Sequence, residues 1–217
     1  MSEHSVGRIE RGAAPSVPRP SAGVVTILAA AAATAVGFRM DVASAAVAAI
    51  LVVAVVPLAA RRPLGVLSHC AASASAGAAA IHFAVVAEHF EEWWCFGVFF
   101  VACGVAQLVW AAGVAASRSR LLIRLGVIGN AAIVVLWVIT RTVGTLVGPE
   151  PDTPEPIGMA DSIATAFELT IVVAGAWLAW GVRMRPALSS RQAWAVSSAT
   201  LALTSVGLLS VLEVVRP

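Results

Sequence analysis

Residues able to do chemistry gather mainly in two stretches of this chain. The first, His82–Trp94, reads H-F-A-V-V-A-E-H-F-E-E-W-W. His82 and His89 are seven residues apart, so on a helix they share a face but stand about 10 Å apart along its axis. One mononuclear metal cannot take both from a regular helix. His89 with Glu92, or Glu88 with Glu92, could each supply two ligands from adjacent turns. Glu91 reads as part of a charged helix end, with Trp93 and Trp94 marking a membrane interface. Counted back from Trp93, His82 lies about 16 Å into the apolar run, at 1.5 Å per residue. A histidine at that depth bonds quietly to a carbonyl, or it is a ligand or a proton relay.

The second stretch holds Asp161, Thr165 and Glu168 at i, i+4 and i+7, one polar stripe on a helix. Glu168 stands about 10 Å beyond Asp161, the same step that separates His89 from His82. An ionised glutamate at such depth needs a partner. Arg141 and His82 are the two candidates. An ion pair of Arg141 with Asp161 or Glu168 that merely locks helices is the plainer alternative. Asn130, Trp137 and Arg141 make a third stripe, at i, i+7 and i+11. Asn130, the only asparagine, is expected to hydrogen-bond between helices. Phe96, Phe100, Cys103 and Gln107 form a similar stripe that reads as packing.

Other signals are weak or missing. Cys95 and Cys103 would lie about 12 Å apart on one helix, too far to bridge. Cys70 beside His69 reads as a boundary feature. No CxxC, CxxCH, HExxH or glycine-rich phosphate loop occurs. All fourteen basic residues are arginine. Without lysine there is no retinal Schiff base, no pyridoxal imine and no lysine-dependent phosphate loop.

The elements that must position these residues are apolar and long. Of 217 residues, 59% are hydrophobic and only 12% charged, with mean hydropathy +0.91. Soluble domains have about 45–50% apolar and about 25% charged residues, so a water-soluble globule and a disordered chain are both excluded. Seven runs are long enough to span a bilayer. They are Ala22–Phe38, Val42–Ala60, Ser68–Phe90, Trp93–Ala116, Leu121–Val143, Ala160–Val182 and Ala193–Val211. The first two read as a tight hairpin around Arg39-Met40-Asp41. Alternate connections carry eleven of the fourteen arginines, which the positive-inside rule makes cytoplasmic. Ten of the twelve carboxylates fall on the other side. Residues 1–38 could alternatively be a signal peptide, but the long charged region and the Arg39 and Asp41 that follow argue against cleavage.

The expected architecture is therefore an all-α integral membrane protein. It is a bundle of seven transmembrane helices, with the N-terminus cytoplasmic and the C-terminus extracytoplasmic. Residues 1–21, broken by Pro15, Pro18 and Pro20, read as a disordered cytoplasmic tail. Residues 22–213 form the transmembrane domain, and 144–159 an outer, acidic, Pro-rich loop. The expected activity is binding, and by extension transport, of a transition-metal cation or coupled protons. His82, His89, Glu92, Asp161 and Glu168 are the candidate ligands, supported by Arg141, Asn130 and Glu88. Mixed imidazole and carboxylate donors suit Zn, Cu, Ni or Fe. Haem is not expected, because His82 and His89 share one helix and His69 sits at its far end. Two rival readings are a metal-dependent membrane enzyme acting on a lipid-like substrate and an accessory subunit of a larger membrane complex. No catalytic residue is assigned. The implied partners are the lipid bilayer, a metal cation, and other membrane subunits or a second copy. A net charge of +2 gives no reason to expect nucleic acid, and the implied location is the cell membrane.

Overall fold

A computed structural model describes residues 64–117, 119–181 and 188–214, and all regular structure there is helical. Six helices follow in order: α1 Val66–Ala84, α2 Val86–Glu92, α3 Trp94–Ala116, α4 Arg120–Thr142, α5 Met159–Trp180 and α6 Ser190–Val214. The tail and the two spans expected at Ala22–Phe38 and Val42–Ala60 lie outside the described residues. Helices α3 to α6 are each long and apolar enough to cross a membrane. They follow the expected runs to within three residues.

The remaining expected span, Ser68–Phe90, is not one straight helix. It is bent by 44° between α1 and α2. Val85 at the junction takes φ −93° and ψ 0°, in the bridge region between helix and turn. Beyond it, Glu88, Glu91 and Glu92 are all exposed. A segment with three exposed carboxylates cannot continue through hydrocarbon, and tipping it aside keeps those groups in water. Four helices among the described residues are long and apolar enough to cross a membrane, or five if the bent pair is counted as one.

Helix α1 is the hub, packed against α3, α5 and α6, while α4 packs on α5 and more lightly on α3. The hub can touch three neighbours because it is built of small residues. Ala71, Ala72, Ala76, Ala78 and Ala79 have no exposed surface, and small side chains let helix backbones come close inside a membrane. Gly77 shows how close. A Cβ there would stand 2.7 Å from the Phe167 ring of α5 and 2.8 Å from Thr204 Oγ1 of α6.

Polarity is inverted relative to a water-soluble protein. Leu121, Leu125, Ile128 and Val135 of α4, and Val173, Trp177 and Trp180 of α5, are exposed. Glu168, Gln107, Asn130, His82 and His69 are buried. Large apolar side chains on the outside around polar ones inside are what a hydrocarbon solvent selects.

The two ends of the bundle differ in charge. Arg120, Arg124 and Arg191 mark one end; Glu88, Glu91, Glu92, Glu150, Asp152, Glu155 and Asp161 mark the other. The acidic end is crossed by the α4–α5 loop. Gly144 takes φ +100°, and a Cβ there would fall 2.5 Å from the Thr153 amide nitrogen, so glycine lets the loop fold back on itself. The Glu155 amide then donates to Thr140 O at 3.0 Å, holding the loop over the end of α4.

Candidate functional site

The antiparallel packing of α1 and α5 brings two of the candidate ligands together. His82 Nε2 lies 3.0 Å from Glu168 Oε1, and the two side chains are only 5% and 1% exposed. That separation is a hydrogen bond only if one of the two atoms carries a proton, so the pair holds a proton between an imidazole and a carboxyl group. Glu168 sits nine residues into α5, about 14 Å along the helix from its start.

Two further helices complete the surroundings. Gln107 of α3 donates from Nε2 to Glu168 Oε1 at 3.3 Å and to Asn130 Oδ1 of α4 at 3.2 Å. Asn130 Nδ2 donates to Gly126 O of its own helix at 2.8 Å. The Gln107 backbone carbonyl accepts from Ser75 Oγ of α1 at 2.8 Å. Four helices thus meet in one polar network inside the bundle. Gln107 Oε1 is buried and has no hydrogen-bond partner. A buried amide oxygen in that state is a ready acceptor for a water or an incoming donor.

The other candidates are placed elsewhere. Asp161 is taken up at the acidic end, where its Oδ2 accepts from Arg141 Nη2 at 2.8 Å and from Trp137 Nε1 at 2.8 Å. Arg141 also pairs with Glu155 of the loop. With Arg141 so engaged, Glu168 is left to His82. His89 donates from Nδ1 to Val85 O at 2.8 Å. Its ring centroid is 3.9 Å from that of Phe100, and Phe100 in turn lies 5.5 Å from His82. Phe100 therefore stands between the two histidines. Glu88 and Glu92 point outward from α2. Of the five expected ligands the structure joins His82 and Glu168 and keeps His89, Glu92 and Asp161 apart from them. Among the described residues, no three His, Cys, Asp or Glu side chains form a group able to hold a metal ion.

No family model, curated protein or solved structure matches the chain.

Two network members, Gln107 and Ser75, are not among the site residues that the sequence points to. Gln107 falls on a stripe that reads as packing in the sequence, yet it is the residue that links Glu168 to Asn130. A glutamine in the middle of a span was the available signal, since such groups are costly in hydrocarbon without partners. Ser75 gave no signal, being one of several small residues in an alanine-rich run.

Proposed function

We propose that this chain is a multi-pass protein of the cell membrane that binds a proton at the His82–Glu168 pair and moves it through the bundle. The proposed topology has seven spans, with the arginine-rich end cytoplasmic. The observation that carries the reading is the direct 3.0 Å contact of a buried imidazole with a buried carboxyl group. Histidine is the side chain whose charge changes most readily near neutral pH, and intramembrane ionisable residues in such pairs are typical of proton relays. The side chains that continue the hydrogen-bond network from the pair, Gln107 on Glu168 and Asn130 on Gln107, are amides. They favour hydrogen bonding over transition-metal coordination, which prefers imidazole, thiolate or carboxylate donors. The proton branch of the expectation is thus better supported than the metal branch.

The acidic end supports uptake from outside. Its surface carboxylates attract cations within about one Debye length, ~8 Å at physiological salt. His89, half-buried against Phe100, lies between that surface and His82.

The test is proton flux in liposomes loaded with a pH-sensitive dye, under a potassium diffusion potential. Wild-type protein is expected to carry flux, and Glu168→Gln and His82→Gln are expected to reduce it to the protein-free background. Elemental analysis of the same chelator-free preparation is expected to find no stoichiometric metal. Stoichiometric Zn, Cu, Ni or Fe that disappears in Glu168→Gln would overturn the proton reading in favour of the metal one. Neither flux nor metal in wild type would leave helix-to-helix cohesion as the role of the pair.

A further inference from the structure

A second buried histidine lies at the opposite end of the hub. His69 of α1 is 3% exposed, and its Nε2 lies 3.1 Å from Ser197 Oγ and 3.1 Å from Ala193 O of α6. The contact is held in register by the chain just before each helix, where the Leu188 amide donates to Leu64 O at 3.1 Å. From His69 upward, α1 and α6 run in parallel. Thr204 Oγ1 lies opposite Gly77, and Ile81 lies opposite Gly207. His69, Ser73 and Gly77 fall at i, i+4 and i+8, on one face of α1; Ser197, Thr200 and Thr204 fall at i, i+3 and i+7, on one face of α6. All five polar side chains are buried.

The hydroxyls in this seam have unused hydrogen-bonding capacity. Thr200 and Thr204 spend their protons on carbonyls of their own helix, Val196 O at 3.0 Å and Thr200 O at 2.8 Å. Their lone pairs remain free to accept. Ser73 Oγ has no exposed surface in its residue and makes no hydrogen bond at all. A hydroxyl buried without a partner carries a desolvation penalty that alanine, the commonest residue of α1, would avoid. Such a hydroxyl is free both to donate and to accept, directly or through a water.

The seam ends below the His82–Glu168 pair. Ile81 and Ile163 close on Gly207, and the Phe167 ring closes on Gly77. Ile81 and Phe167 are the chain neighbours of His82 and Glu168. A rotamer change of Ile81 or Phe167 would withdraw an apolar side chain from the end of the seam and open it toward the pair.

We propose that the α1–α6 seam of His69, Ser73, Ser197, Thr200 and Thr204 is the second half of the proton path. It joins the arginine-rich end to His82–Glu168, with Ile81 and Phe167 as its gate. The inference rests on the proton reading of that pair. At His69 a proton taken up on one ring nitrogen is matched by one released from the other; each hydroxyl likewise accepts one and gives one. No net charge is left in the seam.

The test combines flux with a readout of the pair itself. Ser73→Ala removes an unpartnered hydroxyl and leaves every hydrogen bond in place, so the fold is retained. His69→Gln is the second variant. Both are expected to lose flux in dye-loaded liposomes. In both, the infrared carboxyl band of Glu168 is expected to respond to a pH jump on the acidic face as it does in wild type. Flux equal to wild type in both variants, with flux still lost in Glu168→Gln, would overturn the seam and leave the proton reading standing. Absence of flux in wild type would overturn both.

Discussion

Glu168 shows how far a single residue can be read before its neighbours are known. Its depth and its need of a partner follow from sequence spacing, and so does the short list of partners, Arg141 and His82. The choice between them was not legible, because it depends on which way Arg141 extends. That is decided by Trp137, Asp161 and Glu155 together at the acidic end. Gln107 is the converse case, visible as a polar residue in mid-span but not as the hinge of a network. It makes two donor bonds, to Glu168 and to Asn130, and methionine would fill the same space while making neither. Gln107→Met is expected to lower stability by about 1–3 kcal/mol, as partners left unpaired in a buried site usually do. Denaturation of the detergent-solubilised protein measures it. The double replacement His82→Leu with Glu168→Met, which removes both members of the pair and costs Gln107 one acceptor, is expected to be less destabilising than either single replacement. A double mutant less stable than either single mutant would contradict that account.

Helix limits were the most legible feature of the elements, since the length of an apolar run sets them and charged residues end them. The bend at Val85 was not legible. Val85 and Val86 have no proline or glycine beside them, and the tipping of α2 reflects where its glutamates find water rather than a local breaker. Helix adjacency was legible only where polar stripes faced one another, as with α1 and α5. It was invisible where small residues set the contact. Helices α3 and α4 illustrate this. A Cβ on Gly126 would fall 2.1 Å from the Trp110 ring, whose Nε1 donates to Leu122 O at 2.7 Å. Gly129, three residues on, has nothing within 4 Å of the same position. Gly126→Ala must therefore displace Trp110 from its carbonyl partner, and is expected to cost about 1–3 kcal/mol as an overpacked core substitution does. Gly129→Ala is expected to be neutral or stabilising by up to about 1 kcal/mol, through the better helix propensity of alanine. Thermal melts of the two variants in one detergent give the comparison, and equal effects would mean that the α3–α4 contact is looser than described.

The whole molecule is organised by a separation of charge that was visible before any helix was placed. Alternate connections carry arginine or carboxylate in the sequence, and among the described residues Arg120, Arg124 and Arg191 lie at one end and Glu88, Glu91, Glu92, Glu150, Asp152, Glu155 and Asp161 at the other. Arginine near a helix end is held at the cytoplasmic face during insertion, whereas carboxylates have little effect on orientation. In the proposed topology the arginine end would fix direction, and the acidic end would follow from it. Ser117, exposed at the arginine end of α3, and Thr153, exposed in the α4–α5 loop, report the two sides. Each can be replaced singly by cysteine in a background where Cys70, Cys95 and Cys103 are changed to alanine. An impermeant maleimide added to intact cells is expected to label Thr153→Cys at once and Ser117→Cys only after permeabilisation. The opposite order would invert the bundle, and with it the side from which the proposed path would be entered. Labelling of both from outside would mean that α4 does not cross the membrane. The Arg141–Asp161 pair and the loop tied to it would then lie on the same face as Arg120, and the charge separation would have no role in orientation.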